Sequence, residues 1–90
     1  NAGFFMKFKI GERIYIVKNA AQMMYAGRLD MIKKLSVYEN TVQIITNVSR
    51  DGYAGDLREP LYEVDDKWWF SEDVVESSQI SQILEIESIL

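Results

Sequence analysis

The sequence predicts a small, mainly β domain with short helices in its first long connection and an apolar C-terminal tail. Three observations carry that expectation. "RIYIVK" and "TVQIITNV" alternate with a period of two, "LYEV" and "WWF" stand on either side of Asp65-Asp66, and "QISQILEIESIL" differs in character from everything before it. Ninety residues make one domain, with its boundaries at 6–76 and a tail over 77–90. Asn1 stands where a start methionine would, so residues 1–5 read as a processing scar or a disordered lead, and Met6 as the native start.

The elements follow in order. Gly11 marks a bend, after which Ile14 and Ile16 take one side of a strand and Tyr15 and Val17 the other. Asn19 is placed as an N-cap and Gly27 as a stop for a short helix beginning at Ala20. Asp30 would cap a second, with Met31, Ile32 and Leu35 as its apolar stripe and Lys33 and Lys34 facing water. In "TVQIITNV", Val42, Ile44 and Val48 share a face, and Gln43 and Asn47 take the opposite one. "SRDGYAGDLREP" holds two glycines and the chain's one proline, so it reads as a loop or a long hairpin connection. Ser71 caps a single turn over "SEDVV", with acids placed in that turn.

Hairpin geometry decides which aromatic rings are buried. A two-residue loop at Asp65-Asp66 pairs Tyr62 with Trp69 and leaves Trp68 and Phe70 beside Glu63. A three-residue loop pairs Val64 with Trp68 and Tyr62 with Phe70, gathers all four on one face, and sets Trp69 outward with Glu63. The second separates apolar from polar better, and Asp-Asp is a poor substitute for the Asn-Gly of a tight turn. A chain this short buries only about 60–65% of its unfolded surface, so it needs large rings inside. Tyr62, Val64, Trp68 and Phe70 are therefore expected in the core, with Trp69 as a contact residue or a ring covered by the tail.

Charge divides the chain. Residues 1–55 carry eight Lys/Arg against four Asp/Glu, and residues 56–90 carry two against ten, for a net −4. With no histidine and no cysteine there is no disulfide, no thiol or imidazole chemistry, and almost no means of holding zinc. Asp65-Asp66 and Glu72-Asp73 sit where turns and caps want carboxylates, and "RDGYAG" lacks the lysine and helix of a phosphate loop. Glu63, Asp65 and Asp66 do not have the spacing of a calcium loop. No enzyme, metal or cofactor is expected, and no run is apolar enough to span a bilayer, so the chain reads as cytoplasmic.

In the tail, Ile80, Ile83, Leu84, Ile86, Ile89 and Leu90 require burial. A helix fits better than a strand, capped by Ser77 or Ser78, although neither period is clean. These aliphatic residues would pack on their own domain, over Trp69, or on a second copy; self-association into a homodimer is the favoured expectation. Lys7, Lys9, Arg13, Lys18, Lys33, Lys34 and Arg50, with Tyr15, Tyr25 or Tyr53 for stacking, provide an alternative in nucleic-acid binding.

The run of parts "KIGERIYIV", a helical excursion, "NTVQIITNV" and "YEVDDKWWFSEDVVE" resembles small SH3-like barrel proteins of bacteria and phages. It is similar, more distantly, to KOW-type and mind-bomb-type repeat modules. The likeness covers residues 6–76 and is most specific in the ending, where two strands meet a helical turn and a last strand. It implies a five-stranded SH3-like barrel, a fold that hosts peptide binding, nucleic-acid binding and purely structural roles alike. The residues themselves lead to the expectation of a non-catalytic protein-interaction module, with Trp69, Tyr25 and Tyr53 as partner-binding residues. The first loop is "NAAQMMYAGRLDM" and Ser71 replaces a characteristic proline, so the resemblance does not extend to polyproline recognition.

Overall fold

A computed structural model describes residues 6–50, 53–54, 57–58 and 60–78. The strands are β1 (Arg13–Ile16), β2 (Thr41–Ser49), β3 (Tyr53–Ala54), β4 (Leu57–Arg58), β5 (Leu61–Val64), β6 (Trp68–Ser71) and β7 (Val75–Ser77). Between β1 and β2 lie α1 (Ala20–Met24), α2 (Leu29–Leu35) and a 3₁₀ turn, Ser36–Tyr38; a second 3₁₀ turn, Glu72–Val74, links β6 to β7. Five strands form one antiparallel sheet in the order β6-β5-β2-β1-β7, while β3 and β4 pair separately inside the β2–β5 connection.

This topology forces curvature. β6 and β7 are opposite edges of the sheet, yet only Glu72–Val74 separates them in sequence. Strands lie about 4.8 Å apart, so a flat five-stranded sheet would hold its edges about 19 Å apart. The four peptide steps from Ser71 to Val75 reach at most about 14 Å. The sheet must curl. The link also changes partners along its length: Glu72 N–H donates to the Pro60 carbonyl at 2.9 Å, and Val17 N–H donates to the Val74 carbonyl at 3.1 Å.

Among the described residues no ladder joins β6 to β7, so the curl stops short of the closed barrel that the resemblance implied. The reason is local. Ser71 leaves β6 as a helix cap, its Oγ accepting from Asp73 N–H at 3.3 Å, and the chain crosses between the edges as a turn rather than as a paired strand. Ser77, one of two serines expected to cap the tail, instead ends β7 opposite Ile14.

β2 is shared by the two halves of the sheet. Its start pairs with β1 and its end with β5, and the register breaks between Ile45 and Asn47, which leaves Thr46 as a bulge. This corrects the face assigned from alternation. Ile45 is buried, Val48 packs against the core, and Val42 and Ile44 face outward. Thr41 and Gln43 take the inner side opposite Ile16 and Ile14; Gln43 Nε2 donates to Thr41 Oγ1 at 2.9 Å, and that hydroxyl donates to the Tyr38 carbonyl. The first half of β2 is thus inverted, with polar residues inside and apolar residues outside.

The β5–β6 hairpin has the three-residue register, Val64 opposite Trp68 and Tyr62 opposite Phe70. The turn achieves this differently from the argument against Asp-Asp. Asp65 and Asp66 both adopt left-handed backbone, with φ of 58° and 53°, and Lys67 N–H bonds to the Val64 carbonyl at 3.1 Å. Lys67 is then the extra residue that moves the register by one. Because a side chain at positive φ is strained and glycine is not, Asp66→Gly should stabilise the fold by about 0.5–1 kcal/mol in urea denaturation. No gain would mean that the turn is not left-handed at residue 66.

The core comprises Phe8, Ile14, Ile16, Ala20, Ala21, Met24, Leu35, Ile45, Leu61, Tyr62, Val64, Phe70, Val74 and Val75. Trp68 and Trp69 are both half-buried against it. The helices form where expected, but their caps do not. Asn19 lies at φ 66° and makes no side-chain cap; the Glu39 carboxylate, 18 residues further along the chain, accepts from Ala21 N–H at 2.9 Å instead. Asp30 lies in the first turn of α2 rather than at its cap, and pairs with Arg28 at 3.2 Å, which lowers its pKa. Glu39→Ala should cost about 1 kcal/mol and loosen α1, read by hydrogen exchange at Ala21. Unchanged exchange there would remove Glu39 from the account.

Candidate functional site

The Tyr62 hydroxyl is a buried polar group with three hydrogen bonds. It donates to Glu72 Oε2 and accepts from Phe8 N–H at 3.2 Å and Lys7 N–H at 3.1 Å. A hydroxyl has one donor and two acceptor positions, so all three are in use. Burial, then the bond to Glu72, pushes this phenol well above its ordinary range. The cluster anchors the N-terminal segment, whose Phe8 ring meets Tyr62 edge-on at 5.4 Å.

Tyr38 ties the first connection to the hairpin in a similar manner. Its hydroxyl donates to Asp65 Oδ2 at 2.8 Å, and its ring meets Phe70 edge-on at 6.0 Å. The bond to Asp65, followed by partial burial, raises its pKa. Among the described residues no three His, Cys, Asp or Glu side chains converge as a metal site. No helix among those residues is long and apolar enough to cross a membrane.

Among the described residues, Ile10 is exposed by itself before β1, and two surfaces each expose several large apolar side chains. The first is the excursion between β1 and β2, where Met23, Leu29 and Val37 are 48%, 80% and 70% exposed. They lie on α1, α2 and the following 3₁₀ turn, while Met24, Leu35 and Ala21 turn the opposite way into the core. The second is the outer side of the sheet, where Val42 and Ile44 are 43% and 51% exposed. Tyr15 stands directly opposite Val42 and Arg13 opposite Ile44, so these four residues form one contiguous patch. An open cleft of about 420 Å³, lined by Gly11, Glu12, Arg13, Ser77 and Ser78, adjoins its edge.

The residues singled out from the sequence fall in separate places. Trp69 is on β6 opposite Glu63, half-buried rather than projecting. Tyr25 ends α1, also packed against the core, with the Arg28 guanidinium 6.0 Å from its ring centre. Tyr53 is in β3, paired with Arg58. Ile80, Ile83, Leu84, Ile86, Ile89 and Leu90 lie outside the described residues. Lys7, Lys9, Arg13, Lys18, Lys33, Lys34 and Arg50 are all exposed, spread over the N-terminal segment, β1, the turn after it, α2 and the end of β2. Sequence reasoning missed Val42 and Ile44 as surface residues. The signal was the adjacent apolar pair Ile44-Ile45, since two neighbours in a strand cannot share one face.

No protein-family model, curated protein or solved structure matches this chain.

Proposed function

We propose that this chain is a non-catalytic protein-interaction module built on a curled, SH3-like five-stranded sheet, and that it binds a second copy of itself through the excursion between β1 and β2. Three features support the SH3-like reading of this open sheet: the meandering order of the five strands, the long β2 shared by two halves, and the 3₁₀ link between the sheet edges. The observation that carries the interaction reading is the exposure of Met23, Leu29 and Val37 within one fifteen-residue stretch in which Met24 and Leu35 are core and Tyr25, Met31 and Ile32 pack against it. Single exposed aliphatics are common, whereas three large ones on consecutive elements mark a contact surface.

Sedimentation equilibrium of the full chain tests this reading. A reversible dimer is expected, and Met23→Ser, Leu29→Ser and Val37→Ser together should make it monomeric with an unchanged circular dichroism spectrum. A chain that stays monomeric into the millimolar range contradicts the homodimer. The alternative, a nucleic-acid-binding barrel using the basic N-terminal half, predicts oligonucleotide retention that falls steeply with salt.

A further inference from the structure

We propose that the outer sheet patch of Arg13, Tyr15, Val42 and Ile44 is the docking site of this chain's own residues 79–90. The proposal concerns a different surface from the excursion and does not depend on that reading. Four observations lead to it.

The inversion of β2 comes first. Thr41 and Gln43 occupy the inner side with their polar atoms bonded, while Val42 and Ile44, the stronger hydrophobes, point outward beside the Tyr15 ring. A strand gains nothing by exposing two aliphatic residues to water unless something covers them.

Second, the end of β7 lies beside the patch. Ser77 pairs with Ile14, and Ser78 lines the cleft together with Arg13, whose neighbour across the ladder is Ile44. β7 and β2 flank β1, so the tail leaves the sheet only about 10 Å from the apolar patch. Twelve residues in helical form span about 18 Å, enough to cross from β7 over β1 to β2.

Composition comes third. Residues 79–90 contain six isoleucines and leucines, two glutamates and no base, and the patch offers Val42, Ile44 and the Tyr15 ring with Arg13 at its border. Apolar area meets apolar area, and Glu85 or Glu87 would meet the guanidinium.

Concentration comes last. A segment whose point of attachment lies about 10 Å from its site is present there at an effective concentration on the order of millimolar. A second copy or a foreign partner at micromolar concentration competes at a disadvantage of about a thousandfold. This selects the chain's own tail over any other occupant.

The chain has no cysteine, so disulfide trapping in the full-length protein is free of background. Ile44→Cys would be combined in turn with Ile83→Cys, Leu84→Cys and Ile86→Cys, and the same three would be paired with Val37→Cys, an exposed position elsewhere. Bridges require Cβ atoms within about 3.5–4.5 Å, so proximity is read directly. The expected result is an intrachain disulfide at position 44, formed at least about tenfold faster than at position 37 for one tail position, with the product remaining a monomer by mass spectrometry. Equal rates at 44 and 37 would overturn the proposal. Bridges formed only between chains would overturn it as well, and would identify tail exchange between copies as the occupant.

Discussion

Phe70→Ala lowers the unfolding free energy by about 3–5 kcal/mol, the expected cost of removing a fully buried ring from a packed interior. Phe70 lies opposite Tyr62 on the inner face and receives the Tyr38 ring edge-on, so the cavity would be walled by large side chains with little freedom to collapse. Domains of this size have about 5–13 kcal/mol in total, so this one change should remove a large share of the chain's stability. Trp69→Ala removes a larger side chain but should cost less than half as much, because that indole lies on the outer side and is only half-buried. Urea titration followed by circular dichroism gives both values. A Trp69 variant as damaged as the Phe70 variant would reverse the assignment of inner and outer faces.

Tyr62→Phe should cost about 2–4 kcal/mol, although it removes a single oxygen. The loss leaves the Phe8 N–H buried without its acceptor and takes a donor from Glu72, and an orphaned buried polar group costs about 1–3 kcal/mol. Lys7 N–H keeps a second acceptor in Glu72 Oε2 at 3.3 Å, so the damage centres on Phe8. The effect also has a pH signature. A phenol whose folded-state pKa is raised stabilises the fold fully below its unfolded value, near 10.0, and loses that contribution as pH climbs above it. The wild-type chain should therefore lose stability above pH 10 by up to about 1.4 kcal/mol per unit relative to Tyr62→Phe, while below pH 10 the difference stays constant. Parallel alkaline profiles of the two proteins would show that the Tyr62 proton is not held as described.

Local pattern made most of the sheet legible. Alternation placed Ile14 and Ile16 inward, and segregation of apolar from polar residues selected the correct register for the aromatic hairpin. What stayed hidden depended on tertiary context. The cap of α1 comes from Glu39, too far along the chain for a local motif to reveal. The inversion of β2 depends on a bulge and on which side β1 offers, neither of which alternation encodes. Closure of the sheet was inferred from resemblance, and the observed edges are bridged by a turn instead. The surface candidates followed the same division. Tryptophan and tyrosine drew attention by type, yet Trp69 and Tyr25 are packed against the core. The exposed residues are ordinary aliphatics and a methionine, whose placement only the fold discloses.

The inner and outer faces of the aromatic hairpin depend on the pairing of β5 with β6, and cross-strand backbone nuclear Overhauser effects report it directly. Contacts are expected from Tyr62 to Phe70 and from Val64 to Trp68. Contacts from Tyr62 to Trp69 and from Val64 to Lys67 would contradict this pairing, because a slip of one residue exchanges the two faces of β6.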